Sequence, residues 1–338
     1  MTVKYRLISI RREAETLVRT LIALWLVVMA APAVAADMVR IGLQSTGTFA
    51  WQLEVIRRHR LDANAHLDLR VSKFASPDAG KLALNSGSVD VAVVDWLWVA
   101  RARALGAKLL FYPYSTAVGA IMVKGNSPVH GIEDLGGRVL AVAGGSLDKS
   151  WLIVQGAALR RGIDLKRDAK LEYGAPPLMA EKLQQGEADA GLNFWNFCAA
   201  LETQGYRRLF DVRQAEQELG LREPVALIGY AFSEQFAAAH RDALDRFIEV
   251  AHQANDIMGQ SDQEWEALRP LMKAQDEATF KAYRDRTREG IPHRSIAAEA
   301  QDARALFKAL ANIGGEELVG PAQELDETLY YQPSVRGD

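Results

Sequence analysis

The chain has 338 residues, 49% of them hydrophobic and 25% charged, with a formal net charge of -3. This is an ordinary globular composition, long enough for two domains, and it holds no low-complexity linker. No basic patch argues for nucleic acid as a partner, and the single cysteine, Cys198, excludes an intramolecular disulfide.

The first stretch reads as a cleavable export leader over 1–35. Lys4, Arg6, Arg11, Arg12 and Arg19 form its positive region, 20–34 its apolar core, and Ala33, Val34 and Ala35 its small-residue cleavage site. The apolar run is short for a membrane span and contains Pro32. No cysteine at the cleavage site offers a lipid anchor. Removing a leader with five basic and two acidic residues takes the net charge from -3 to -6.

After the leader, Val39 to Leu43 predicts a short strand, followed by a small-residue loop through Ser45, Thr46, Gly47 and Thr48 and a helix that carries Trp51. The run PDAGKLALNSGSVDVAVVDW (77–96) predicts a helix, a glycine stop and a strand that ends in Trp96. Strands at 108–112 and 119–124 follow, with a lobe crossover between Tyr114 and Gly119. The run GIEDLGGRVLAVAGGS (131–146) then predicts a turn, a buried strand and a glycine-rich loop, with Asp148 in the first turn of the next helix. Further strands are expected near 170–173, 188–194, 207–212 and 225–230. From Ser233 the pattern is helical over 234–258, 262–274, 276–288 and 296–313, with Ser233 and Asp262 as N-caps. This C-terminal third is expected to pack on the first lobe.

The chain repeats itself. PLMAEKLQQGEADAGLNFW (177–195) aligns with 77–96 without gaps from the glycine onward: Gly87 with Gly186, Asp90 with Asp189, Ala92 with Gly191, Trp96 with Trp195. Two lobes on one plan are the reading.

Catalytic signals are absent from the pattern. Gly144 to Asp148 is not Gly-x-Ser-x-Gly, so a nucleophile elbow is unsupported. The six histidines include no metal-spaced pair, and Cys198 sits in an apolar setting that suits a buried, inert thiol. The expectation is a binding protein, not an enzyme, with no cofactor and no metal residues.

Leader, βα lobe, the run at 131–146, Gly-x-x-Asp-Ala before a strand, and a helical tail together resemble the periplasmic substrate-binding proteins of ABC importers, of the nitrate, sulfonate and taurine type. Ile121 to Val123, Ser127 with Pro128, Asp134 with Leu135, and Gly137 to Val142 carry the likeness. The resemblance implies an α/β, two-lobed type II periplasmic-binding-protein fold, with two crossover strands, an interlobe ligand cleft and hinge closure. Its expected partners are a small-molecule ligand and an ABC permease with its ATPase, met as a monomer in the periplasm. The lobes would be 36–116 with 231–338, and 117–230. A branch with this fold that makes a thiamine pyrimidine precursor carries a cysteine cluster, which Cys198 alone cannot match.

Ligands of open α/β sheets bind beyond the carboxyl ends of the strands. The expected cleft residues are therefore Thr46, Gly47, Thr48, Phe49, Asp95, Trp96, Tyr114 and Ser115 in the first lobe. In the second they are Ser146, Asp148, Asn193, Trp195 and Asn196, and Tyr230 ends the return strand. Hydroxyls and backbone N–H groups suit an oxyanion, and aromatic walls suit an organic body. The set holds no arginine, while Asp95, Asp148 and three nearby tryptophans also suit an amine, through cation–π contact, or a hard metal ion. Lys149 could neutralise an anion. The ligand therefore stays open between a sulfonate-like or other oxyanion, an aromatic or amine compound, and a metal ion. A non-transport sensor or accessory protein would share the same cleft.

Overall fold

The computed structural model describes residues 35–45 and 47–334. The expected leader lies almost wholly outside the described residues, and so does Thr46. Among the described residues no helix is long and apolar enough to cross a membrane.

The first half of the chain runs β1 (Asp37–Gln44), α1 (Phe49–Arg58), β2 (Leu67–Phe74), α2 (Pro77–Asn85), β3 (Val91–Asp95), α3 (Trp96–Ala104) and β4 (Leu109–Ser115). The second half opens with β5 (Ala120–Lys124), β6 (Val139–Ala143), α4 (Lys149–Arg160), β7 (Lys170–Gly174) and α5 (Pro176–Gln185). It continues through β8 (Ala190–Asn193), α6 (Trp195–Thr203), β9 (Tyr206–Asp211) and α7 (Val212–Glu218). The chain returns as β10 (Ile228–Ser233) and ends in helices α8 (Arg241–Gln260), α9 (Asp262–Met272), α10 (Glu277–Glu289) and α11 (Ile296–Gly314). Shorter helices are left unnumbered.

The strands form two five-stranded sheets, ordered β2-β1-β3-β10-β4 and β7-β6-β8-β5-β9. These are one plan used twice. In each, a parallel core pairs the first strand with the third, β1 with β3 and β6 with β8. Each sheet then takes in an antiparallel strand beside the third: β10, which returns after the second crossover, and β5, which directly follows the first. β10 pairs with β3 so that Ile228 faces Asp95, and β5 pairs with β8 so that Ala120 faces Asn193. At Gly119, beside the start of β5, a Cβ would lie 1.7 Å from the Asn193 carbonyl oxygen. Only glycine lets the backbones approach this closely.

The internal repeat has a physical counterpart in a backbone clamp. Asp90 Oδ2 accepts the Arg40 N–H at 2.8 Å, and the Asp90 N–H returns a bond to the Arg40 carbonyl at 2.7 Å. Asp189 does the same to Val139, at 2.8 and 3.0 Å. Each clamp fixes the register of the third strand against the first. The preceding helices stop at Gly87 and Gly186, with φ of +69° and +79°.

Local signals explain the helix starts. Ser76 accepts the Ala79 N–H ahead of Pro77 at the opening of α2. At the start of α9 the cap is Ser261 rather than the expected Asp262, which is already helical. The expected helix over 234–258 is broken at His240. The return strand begins at Ile228 rather than Val225, because 225–227 is spent on other bonds: the Ala226 N–H goes to Glu299, and the Leu227 carbonyl accepts the Trp96 N–H.

The C-terminal helices do not confine themselves to the first sheet. α8 meets α1, where Gln52 Nε2 bonds Asn255 Oδ1 at 2.6 Å. But α10 reaches α6 through the Thr279 and Thr203 hydroxyls at 2.8 Å. α11 reaches α4, where a Cβ on Gly156 would lie 2.6 Å from Leu310. Apolar residues on both helices drive this, with Val154, Ala157, Leu306 and Leu310 fully buried in one core.

Asp90→Ala is expected to cost about 1–2 kcal/mol of unfolding free energy, measured by urea denaturation, since it strands a strand-register bond in a nearly dry site. Asp189→Ala should cost less, because that side chain is 42% exposed against 10% for Asp90 and water can substitute.

Candidate functional site

A cavity of about 100 Å³ lies where the two sheets face each other. The first lobe lines it with Gly47, Thr48, Phe49, Lys81, Asp95 and Tyr114, and the second with Asp148, Lys149, Phe194, Trp195 and Asn196. Leu43, Gln44, Pro77, Val93, Val94 and Ile228 complete the wall.

Besides α2, whose Pro77 joins the wall under its Ser76 cap, four helices begin at this cavity: α1, α3, α4 and α6. A helix start presents unpaired N–H groups and the positive end of the peptide dipoles. Two of the four are closed by the protein's own carboxylates. Asp95 Oδ1 accepts the Trp98 N–H at 2.7 Å, capping α3, and Asp148 Oδ1 accepts the Ser150 N–H at 2.9 Å, capping α4. The other two, at Thr48 and Phe194, have no side-chain cap.

The second oxygen of each capping carboxylate faces a lysine. Lys81 Nζ lies 3.6 Å from Asp95 Oδ2, and Lys149 Nζ lies 3.4 Å from Asp148 Oδ2. Both pairs are largely buried, with side-chain exposures of 15% and 7% for the first and 9% each for the second. Lys149 Nζ also stands over the Phe194 ring, 4.3 Å from its centre. Each lobe thus contributes one lysine beside one N-cap aspartate, and Lys81 also lies 3.8 Å from the exposed Asp78. The full charges are matched by opposite charges, and the uncapped starts of α1 and α6 add partial positive charge at the wall.

The aromatic wall is built in layers. Phe49 meets Tyr114 edge to face at 5.6 Å between ring centres. Tyr230 backs both rings, at 5.4 and 5.3 Å, and its hydroxyl donates to Gln52 Oε1 at 2.6 Å. The Tyr114 hydroxyl bonds with Thr48, and loss of water around it in the wall still pushes its pKa up to about 12, so it remains a neutral phenol. Trp195 links the lobes: its ring lies 6.0 Å from Trp51 and 6.1 Å from Tyr283.

The expected residues divide accordingly. Gly47, Thr48, Phe49, Asp95, Tyr114, Asp148, Trp195 and Asn196 meet at the cavity. Trp96 does not: it is fully buried in the core, although it occupies the same helix position as Trp195. Ser115 turns back to accept the Ala117 N–H in the crossover. Ser146 is exposed outside the cavity. Asn193 is consumed locally, its Nδ2 donating to the Pro176 carbonyl and its Oδ1 accepting the Phe194 N–H. Tyr230 acts from behind Phe49 and Tyr114.

Sequence reasoning missed Lys81 as a cleft group and Phe194 as a wall. The signal for Lys81 was present in the shared Lys-Leu of the two repeats, but an isolated helix lysine reads as solvated. Cys198 is buried, its thiol close to the Asn193 and Ala120 carbonyls, and burial pushes its pKa up to about 12. Among the described residues, no group of three or more His, Cys, Asp or Glu side chains could hold a metal ion.

Two α/β lobes joined by crossover segments, with a cavity between them, define the type II periplasmic-binding-protein architecture. Residues 63–264 match the family described as NMT1/THI5 like, and the chain belongs to that family. Its fold is shared with the alkanesulfonate-binding protein of Xanthomonas axonopodis pv. citri, solved with MOPS bound, at 21% identity and a TM-score of 0.69, over 88% of this chain and 99% of that one. The periplasmic aliphatic sulphonate binding protein of Escherichia coli matches at 20% identity and a TM-score of 0.69, over 89% and 94%. A ligand-binding component of an ABC-type import system from Staphylococcus aureus, solved with zinc, matches at 14% and 0.65, over 88% and 99%. No curated protein sequence matches the chain significantly.

Gly144 has φ of +95°, and a Cβ there would sit 2.7 Å from Asp148 Oδ2. Gly144→Ala should therefore lower stability by about 1–3 kcal/mol in chemical denaturation, through strain and a displaced cap. Cys198 should resist a thiol-specific reagent at mildly alkaline pH in the folded chain and react once urea unfolds it. Rapid reaction of the folded protein would contradict the buried, neutral thiol.

Proposed function

We propose that the chain is an exported receptor that captures a small organic oxyanion between its lobes and passes it to a membrane ABC permease. The observation that carries this reading is the pair of lysines, Lys81 and Lys149, brought from opposite lobes to one cavity beside two uncapped helix starts. An ammonium held by its own N-cap aspartate is fixed in place and can still donate to an incoming anion. The apolar and aromatic wall of Phe49, Phe194, Trp195, Val93 and Ile228 suits an organic body behind that head group. The sulfonate-binding neighbours point the same way.

An amine or metal ligand finds less support. The carboxylates such a ligand needs, Asp95 and Asp148, each spend one oxygen on a helix start and face a lysine with the other. Trp96, one of the tryptophans a cationic ligand would use, is in the core. A sensor or accessory role would use the same cavity, and no observation favours it. A catalytic role built on Cys198 is disfavoured by its burial.

The test is a thermal-shift and calorimetric panel. It would compare taurine, hexanesulfonate, benzenesulfonate, benzoate and nitrate with putrescine, choline and zinc chloride. A ligand that binds only the folded form raises its melting temperature. At least one oxyanion should stabilise the chain, and Lys149→Met or Lys81→Met should weaken it about tenfold or more, the scale of one charge-assisted hydrogen bond. Stabilisation by the cations alone would sink the oxyanion reading.

A further inference from the structure

Two segments connect the lobes, residues 116–119 and 219–227. Behind the cavity, three side chains tie them to one spot. Arg213, on α7, donates from Nη2 to the Thr116 carbonyl in the first segment at 3.1 Å. Glu299, in the first turn of α11, accepts the Ala226 N–H of the second segment at 2.8 Å. Glu216, on α7 one turn after Arg213, belongs to the same cluster and is coupled electrostatically to both Arg213 and Glu299. Both glutamates are wholly buried.

The cluster is short of donors. Neither carboxyl oxygen of Glu216 has a hydrogen-bond partner, and neither does Glu299 Oε1. Arg213 Nη1 lies 2.9 Å from Glu216 Oε2, but its N–H is not aimed to make a bond. Arg213 faces both carboxyl groups, and Arg294, which faces Glu299, is already bonded to Asp302, so two buried carboxylates would leave an uncompensated negative charge, which is costly in a dry site. The inexpensive state keeps a proton on the pair, as two carboxyl groups sharing a site do.

We propose that Glu216 and Glu299 form a proton-holding latch on the hinge: once both are ionised, their repulsion works against the packing of α7 on α11, loosens the two connecting segments that these helices hold, and frees the lobes to move. The charges around it are few. Glu216 faces Arg213 on its own helix, Asp211 at the end of β9, and Glu299 across from it. Glu299 faces Arg294 and Asp302, Arg213 from α7, and Tyr330 from the C-terminal segment. The Tyr330 hydroxyl is itself buried without a partner.

Burial, opposed by Arg213 and reinforced by Asp211 and Glu299, pushes Glu216 up to about 8, and burial raises Glu299 as well. The sign follows from proton counting. The folded chain holds a proton that the unfolded chain has released, so the stability this pair contributes is full below the ordinary carboxyl range. It is lost as pH rises through the folded value. The change falls in the range where an extracytoplasmic protein meets the pH of its surroundings.

The experiment needs no ligand, so its failure is separate from failure of the oxyanion reading. Spin labels at Leu82→Cys on α2 and Leu178→Cys on α5, both exposed positions, report the interlobe distance by pulsed electron resonance. In the otherwise wild-type chain the distance distribution should broaden between about pH 6 and about pH 9. In Glu216→Gln, a neutral isostere, it should stay narrow across the range. Thermal unfolding should show the same variant gaining relative stability as pH rises. Should Glu216→Gln fail to fold, Glu299→Gln is read in the same way. A distribution that does not change with pH, or one that broadens equally in the glutamine variant, overturns the latch and leaves only a buried carboxyl with a stability cost.

Discussion

The first sheet is completed by a strand from the far side of the chain. β10 returns from the second lobe to lie between β3 and β4, whereas β5 to β9 build the second sheet from one continuous run. Without β10 the first half would expose the unpaired edges of β3 and β4, which is both costly and prone to aggregation. The return removes that exposure. It also makes two chain passages between the lobes, so that two short segments join them rather than one flexible tether. The close approach at Gly119 and the bonds to Thr116 and Ala226 are consequences of packing two passages side by side.

The shared sheet plan places the cavity. The parallel strands β1, β3, β6 and β8 all end towards the gap, so the helices that follow them start there. Four dipoles of one sign converge on a small volume, which is unfavourable without compensation. Asp95 and Asp148 supply it at two of the starts. Each then draws in a lysine, because a capping carboxylate buried in the wall still has an oxygen to satisfy. The two Lys–Asp pairs are thus a structural answer to crowded helix ends before they are anything else. What remains unanswered in the wall is the pair of uncapped starts at Thr48 and Phe194.

Much of this was legible in the residues. The aligned Asp90 and Asp189 predicted two lobes, and their matching clamps on β1 and β6 show why that spacing recurs. The glycines that stop α2 and α5, the loop at Gly144, and the position of Phe49, Asp95, Asp148 and Trp195 beyond the strand ends all follow from local pattern and topology. What a local pattern does not contain is side-chain destination. Trp96 and Trp195 open equivalent helices, yet Trp96 enters the core and Trp195 the cavity. The residue before each differs: Asp95 turns its carboxylate onto the helix start, while Phe194 supplies no cap and lends a ring to Lys149. Similarly, Asn193 looked like a ligand group, but a buried amide beside a proline-led helix finds the Pro176 carbonyl first.

The C-terminal helices were the least legible part, for a physical reason. Helical periodicity shows which face is apolar but not what covers it. α8 and α9 cover α1 as a first-lobe supplement would. By contrast α10 carries Tyr283 to the interlobe pair of Trp51 and Trp195, and α11 buries Leu306 and Leu310 against the second lobe. These helices therefore brace both lobes from behind the hinge, and the brace is where the polar groups are scarce and buried. At the cavity, every charged side chain has an opposite charge and a helix end within reach. Behind the hinge, Glu216 and Glu299 have Arg213, Arg294 and a single backbone N–H between them, and three of their four oxygens lack a hydrogen-bond partner. At the front the full charges are matched in pairs and two helix starts stay open, while at the back the charge balance depends on a proton.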